Sequence, residues 1–219
     1  LVKEKVSIDT VADGSITRAK MAASFPYWDA SGNVGIGNPT HDPLIYSTNS
    51  VTTNTWNHVA VTRDSSNLVR LFLNGNLERT SSADSSLYDF GQGGTCIGDS
   101  PWDGVNGWYS GYISNLRIIK GQALYTSAFT PGTAPLQPIA NTSLLTCQSA
   151  SVVDNSFNNA AVTVNGTPKV QKYSPFAPTA AYSAATYGGS AYFDGTGDYL
   201  SVADNAALEA GTNDFTLEG

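Results

Sequence analysis

The run Trp56-Asn57-His58-Val59-Ala60-Val61-Thr62-Arg63 decides the fold class together with its continuation, Leu68-Val69-Arg70-Leu71-Phe72-Leu73-Asn74-Gly75 and Leu77-Glu78-Arg79-Thr80. Both runs are strand-like. The Asn-Gly pair that ends the second is the strongest short hairpin signal, because a two-residue turn of this kind needs positive φ at both central positions. Working outward, Thr95 to Gly98 reads as a further strand, Asp99 to Ser110 as a long loop, and Gly111-Tyr112-Ile113-Ser114-Asn115-Leu116-Arg117-Ile118 as renewed alternation. The architecture these imply is antiparallel sheet. Helical periodicity is confined to Ile16 to Ala23, behind the start signal Asp13-Gly14-Ser15. Asp29 to Pro39 alternates apolar residues with Gly and turn formers, as a connector does. Two proline-bearing stretches, 131–143 and 168–180, are candidate boundaries, since proline cannot donate within a sheet.

At 219 residues the chain is long enough for one large domain or two small ones. Its net charge of −7 gives no electrostatic footprint for nucleic acid or an anionic membrane. No apolar run approaches the roughly 18 to 20 residues of a membrane span, so membrane insertion is not expected. Leu1 opens the sequence, and Phe215 to Gly219 reads as a strand cut off in progress, as in an excerpt of a longer chain. The two cysteines, Cys96 and Cys147, are too far apart in sequence for a zinc ribbon, and each lies in a strand-like run, where a buried free thiol is the expectation and pairing the alternative. Two histidines, His41 and His58, exclude a histidine-rich metal site. His58 alternates within its run and reads as a residue packed on a sheet face.

Four stretches resemble, in order, the latter half of a laminin G-like domain of the concanavalin A-like lectin/glucanase superfamily. They are Trp56 to Arg63, Leu71 to Gly75, Gly111 to Ile118, and Ala123-Leu124-Tyr125-Thr126-Ser127-Ala128-Phe129-Thr130-Pro131. The opening half resembles later segments: Leu144-Leu145, Asp154 to Asn159, Ser190 to Leu200, and Asp214 to Glu218. Tandem repeats clipped at both ends, or a circular permutation, would give this reversed order. The resemblance implies an all-β, jelly-roll-like sandwich, with residues 1–45 a partly irregular connector, 46–140 the C-terminal half and 141–219 the N-terminal half of a domain. Asp29-Ala30-Ser31-Gly32-Asn33-Val34-Gly35-Ile36-Gly37 is in addition similar to a phrase common in bacteriophage tail-fibre proteins. Together these likenesses imply a module outside the cell or on a virion, recognising a cell-surface glycan, with assembly into a homotrimeric fibre as the structural alternative.

Sugar recognition needs an aromatic plate for the apolar face of a pyranose and amide, carboxylate or backbone groups for its hydroxyls. Ser100 to Tyr109 gathers those types, making Trp102, Asp103, Asn106, Trp108 and Tyr109 the ligand-binding candidates. Trp108 and Tyr109 could instead anchor the core, and Trp56 reads as a core residue. Calcium, which takes oxygen ligands from loops, has two candidate places: Asp99 and Asp103 with Asn106, and Asp194 and Asp198 with Asp204. Turn chemistry is the plain alternative for Asp194-Gly195 and Gly197-Asp198. The superfamily's glycosidases use a close pair of carboxylates on one strand. Only Glu4, Glu78, Glu209 and Glu218 are present, with no Glu-x-Asp-x-x-Glu arrangement, so the expectation is a noncatalytic module and a polysaccharide-cleaving enzyme is the rival.

Overall fold

The computed structural model describes residues 27–28, 33–36, 45–88, 95–99, 108–176 and 183–219. The helix expected near residues 16–23 lies outside them. In chain order the strands are β1 Tyr27–Trp28, β2 Asn33–Ile36, β3 Ile45–Ser50, β4 Val59–Arg63, β5 Leu68–Leu73, β6 Asn76–Ala83, β7 Thr95–Ile97 and β8 Ser110–Ile113. There follow β9 Leu116–Lys120, β10 Thr142–Thr146, β11 Val162–Asn165, β12 Lys169–Gln171, the single-turn helix α1 Ala184–Tyr187, β13 Ser190–Asp194, β14 Tyr199–Val202 and β15 Phe215–Glu218. No helix among the described residues is long and apolar enough to cross a membrane.

The chain forms an all-β sandwich. One layer is a six-stranded antiparallel sheet in the order β10-β9-β15-β4-β5-β6. Opposite it lie two three-stranded sheets, β11-β14-β7 and β12-β13-β8, and β1-β2-β3 forms a further small sheet whose last strand hydrogen-bonds through Thr48 and Asn49 to Glu78 of β6. Alternation aims one face of each strand inward. Val61, Leu71, Ile118, Leu144, Phe215 and Leu217 from the large sheet meet Ile97, Ala191, Phe193, Leu200 and Val202 from the small ones in one core. Val34 and Ile36, within the stretch read as a connector, point into the same core.

The hairpin expected at Asn74-Gly75 is present, with φ of 51° and 79° at the two residues. A methyl group at Gly75 would overlap the carbonyl oxygen of Phe129, so this position needs glycine for space as well as for φ. Gly111 to Ile118, by contrast, is not one strand. Asn115 adopts φ 60°, and the chain turns there from β8 in one layer to β9 in the other. The break is fixed by polar contacts: Asn115 Nδ2 donates to Ser114 Oγ, Ser114 Oγ donates to the carbonyl of Gly189, and Asn115 Oδ1 accepts the N–H of Leu136. Periodicity along one segment cannot register a change of partner, because both halves alternate correctly on either side of the turn.

The outward face of the large sheet is covered too. Residues 121–141, which join β9 to β10, cross it as a strap: Thr62 Oγ1 donates to the carbonyl of Tyr125, the N–H of Leu124 to Thr216 Oγ1, and the N–H of Phe129 to the carbonyl of Gly75. Tyr125 and Phe129 stack at 3.6 Å between ring centroids and pack edge-on against Phe72. The first proline-bearing stretch thus runs over the sheet as part of this strap. Beneath it β15 lies antiparallel between β4 and β9, so that this one strand joins the two parts of the sheet begun by residues 59–120.

Candidate functional site

On the sheet β12-β13-β8, Ala191 and Phe193 face the core, which turns Tyr192 outward; on β8 the same alternation turns Tyr112 outward. The register pairs Tyr192 with Tyr112 on one side and with Lys169 on the other, giving a row of side chains across three strands. The two tyrosine rings lie 5.0 Å apart. Just past β12, Tyr173 sets its ring edge-to-face at 4.8 Å from Tyr112 and stacks on Trp56 at 5.0 Å, 29° from parallel. Tyr173 is 47% exposed and forms the open surface of this four-ring cluster.

The cluster is held rigidly. Ser190 Oγ donates to the carbonyl of Tyr173 at 2.6 Å, tying that backbone to β13. Asn57 clamps the loop that carries Trp56: its amide donates to the carbonyls of Thr52 and Thr55, and its Oδ1 accepts from Thr52 N–H and from the Asn74 amide of the hairpin turn. Trp56 Nε1 is buried and has no hydrogen-bond partner among the described residues. Trp56 belongs neither to a strand nor to the sandwich core, contrary to the alternation in its run; its ring face stacks on Tyr173. Sequence reading missed Tyr112, Tyr173 and Tyr192. The outward parity of Tyr112 and Tyr192 was available locally, but not their pairing, which joins residues 80 apart.

Of the sequence-chosen ligand residues, Trp102, Asp103 and Asn106 lie outside the described residues. Trp108 is half-buried, its ring near the turn at Gly197. Tyr109 packs edge-on against core Phe193 at 6.2 Å and donates its hydroxyl to the carbonyl of Tyr112 at 3.3 Å, beneath the aromatic cluster.

Of the candidate metal residues, Asp103 lies outside the described residues. Asp99 lies near Cys96, whose thiol is pushed up to about 11 by burial and by that carboxylate. Asp194 and Asp198 serve their turn: Asp198, 2% exposed, accepts Thr167 N–H at 2.6 Å and Asp194 N–H at 3.2 Å, while Asp194 accepts Thr196 N–H at 2.8 Å. Among the described residues no three His, Cys, Asp or Glu side chains are grouped as metal ligands would be. Cys96 and Cys147 are both free thiols; Cys147 is buried, as expected, while Cys96 is half-buried.

A second polar assembly sits under the strap. Glu218, fully buried, accepts Nε and Nη2 of Arg117 at 2.8 and 2.5 Å on Oε1 and the Tyr125 hydroxyl at 2.8 Å on Oε2, with His58 Nε2 3.4 Å away. Burial pushes this carboxyl up, but hydrogen bonds from His58, Arg117 and Tyr125 outweigh it and hold it below the usual carboxylate range. His58 packs edge-on against Phe129 on that sheet face, as its alternation implies. Both oxygens of Glu218 are engaged, which makes this a structural ion pair under a lid of chain.

A family model of laminin G type, described as the concanavalin A-like lectin/glucanases superfamily, matches residues 11–126, just over half of the chain. No curated protein and no solved structure matches it.

Proposed function

Because the chain belongs to the concanavalin A-like lectin/glucanase superfamily, we propose that it is a noncatalytic carbohydrate-binding module that takes glycan on the Tyr112–Tyr173–Tyr192 face, at the surface of a cell or particle. The observation that carries this is the Trp56–Tyr173 stack on an outward sheet face. Tyr173 presents a rigid, half-exposed ring for the C–H face of a pyranose, and the ring behind it blocks collapse into the surface. Lys169, beside Tyr192 in register, and the tyrosine hydroxyls supply polar partners for sugar hydroxyls at its border. A pre-formed aromatic plate with few polar groups is how sugar sites limit the entropy lost on binding.

The test is a glycan array followed by calorimetry on the strongest hit, with Tyr173→Ala and Trp102→Ala compared. Tyr173→Ala should weaken binding at least tenfold with an unchanged melting midpoint. Unchanged affinity in Tyr173→Ala with loss in Trp102→Ala would move the site to the loop before β8. Failure of the parent on every glycan, with stable trimers in sedimentation, would replace the reading by that of a fibre assembly module.

A further inference from the structure

Beside the edge of the large sheet lies a groove of about 520 Å³ that shares no residue with the aromatic face and does not depend on its assignment. It is lined by Lys120 at the end of β9, Asn141 before β10, Phe157, Asn158, Ala207 and Asn213. Phe157 is 74% exposed, the highest exposure of any large apolar side chain among the described residues. It is not on a loose loop. Asp154, 4% exposed, accepts Leu145 and Ser156 N–H on Oδ1 at 3.0 and 2.8 Å, and Ser156 Oγ and Ala160 N–H on Oδ2, both at 2.8 Å. The turn therefore holds the phenyl ring out beside the polar lining of the groove, where its face is free to meet a ligand's C–H groups.

The polar lining is selective. Asn158 Nδ2 donates to the carbonyl of Ser143 at 2.8 Å and Asn213 Nδ2 to that of Ala210 at 3.0 Å, so both amides are fixed with Oδ1 available as an acceptor for a hydroxyl. Lys120 Nζ gives one of its three donors to the carbonyl of Ala206 at 2.8 Å. No carboxylate lines the groove, although the chain carries a net charge of −7. An aromatic ring, two fixed acceptors and one cation with no ion-pair partner among the described residues match a sugar ring that bears hydroxyls and one carboxylate. We propose that this groove is a second saccharide site, specific for a hexuronic acid unit: the ring's C–H face on Phe157, hydroxyls to Asn158 and Asn213, and the carboxylate to Lys120.

The probes are hexuronate trisaccharides of gluco, galacto and manno configuration and their neutral counterparts, titrated calorimetrically into the full chain at low salt. At least one acidic trisaccharide should bind tenfold or more tightly than its neutral counterpart. Lys120→Gln should bring the acid-to-neutral ratio to about one, Phe157→Ala should weaken both by tenfold or more, and Tyr173→Ala should leave the preference unchanged. Both groove substitutions are at the surface, and an unchanged melting midpoint certifies folding. Absence of saturable binding to all three acidic probes, or a preference that survives Lys120→Gln, overturns the proposal. Loss in Tyr173→Ala with none in Phe157→Ala overturns it as well, and leaves the aromatic-face reading standing.

Discussion

Arg117→Met removes the guanidinium that bonds twice to Glu218 and gives Nη1 to the carbonyl of Gln137 at 2.9 Å. Stripping one partner from a buried ion pair costs about 3–5 kcal/mol, and the stranded Gln137 carbonyl adds about 1 kcal/mol. Tyr125 and His58 still face the carboxylate at 2.8 and 3.4 Å, which keeps the first figure near its lower end. The sum at neutral pH is about 4 kcal/mol, or about 12 °C in melting midpoint for a domain of this size. The loss depends on pH with a definite sign. In the parent, the folded pKa of Glu218 is depressed, so its contribution is present above the unfolded value and is lost as pH falls through the folded one. In the variant the guanidinium's charge and hydrogen bonds are gone, so the folded pKa lies higher than in the parent and the deficit shrinks as pH falls through it. Urea unfolding of parent, Arg117→Met and Arg117→Met/Glu218→Gln at pH 7.5 and pH 5 measures all of this. A deficit below about 1 kcal/mol at pH 7.5, an equal deficit at both pH values, or no gain from the added Glu218→Gln would refute the reasoning.

Gly75→Ala meets both a φ of 79° and overlap with the Phe129 carbonyl, so it should destabilise by about 2–3 kcal/mol and loosen the strap, read as lower urea resistance and faster amide exchange at Phe129. Thiol titration with a disulfide reagent at pH 8 checks the cysteines: Cys96 is pushed up to about 11 and Cys147 up to about 12, chiefly by burial, so Cys96 should react on the order of 100-fold and Cys147 on the order of 1000-fold slower than a free thiol. A fast thiol in the folded protein would contradict their placement.

What the sequence made legible was local. The Asn74-Gly75 turn, the flanking strands β4 to β6 and the short strands at residues 95–97 and 215–218 follow from alternation and turn chemistry, each carried within a few residues, whereas residues 190–194 are marked only by the family resemblance. The strap was half legible, since the tyrosine, phenylalanine and proline of residues 125–131 matched a family pattern without revealing what they cover. The Ser114-Asn115 crossing was hidden because asparagine at positive φ leaves the apolar alternation on both sides intact. The aromatic face was hidden for another reason: Tyr112, Tyr173 and Tyr192 meet only through strand register, and Trp56 carries the pattern of a core residue until Tyr173 is seen to lie on it. Exposure of Phe157 has no sequence signature at all, because it depends on how Asp154 folds the turn beneath it.

The place of β15 bears on how the protein reaches this structure. β4, β5 and β6 form one ladder and β9 and β10 another, and the strand that joins them arrives about 150 residues after β4. Until then Val59–Arg63 and Leu116–Lys120 each present a bare edge, and the sheet has no continuous middle. Closing it demands a loop of nearly the longest span the chain offers, an entropic cost that local contacts cannot offset in advance. β15 thus makes the pairing of greatest sequence separation in the large sheet, and a molecule that lacks it in that slot leaves two unpaired edges open to a strand from another chain.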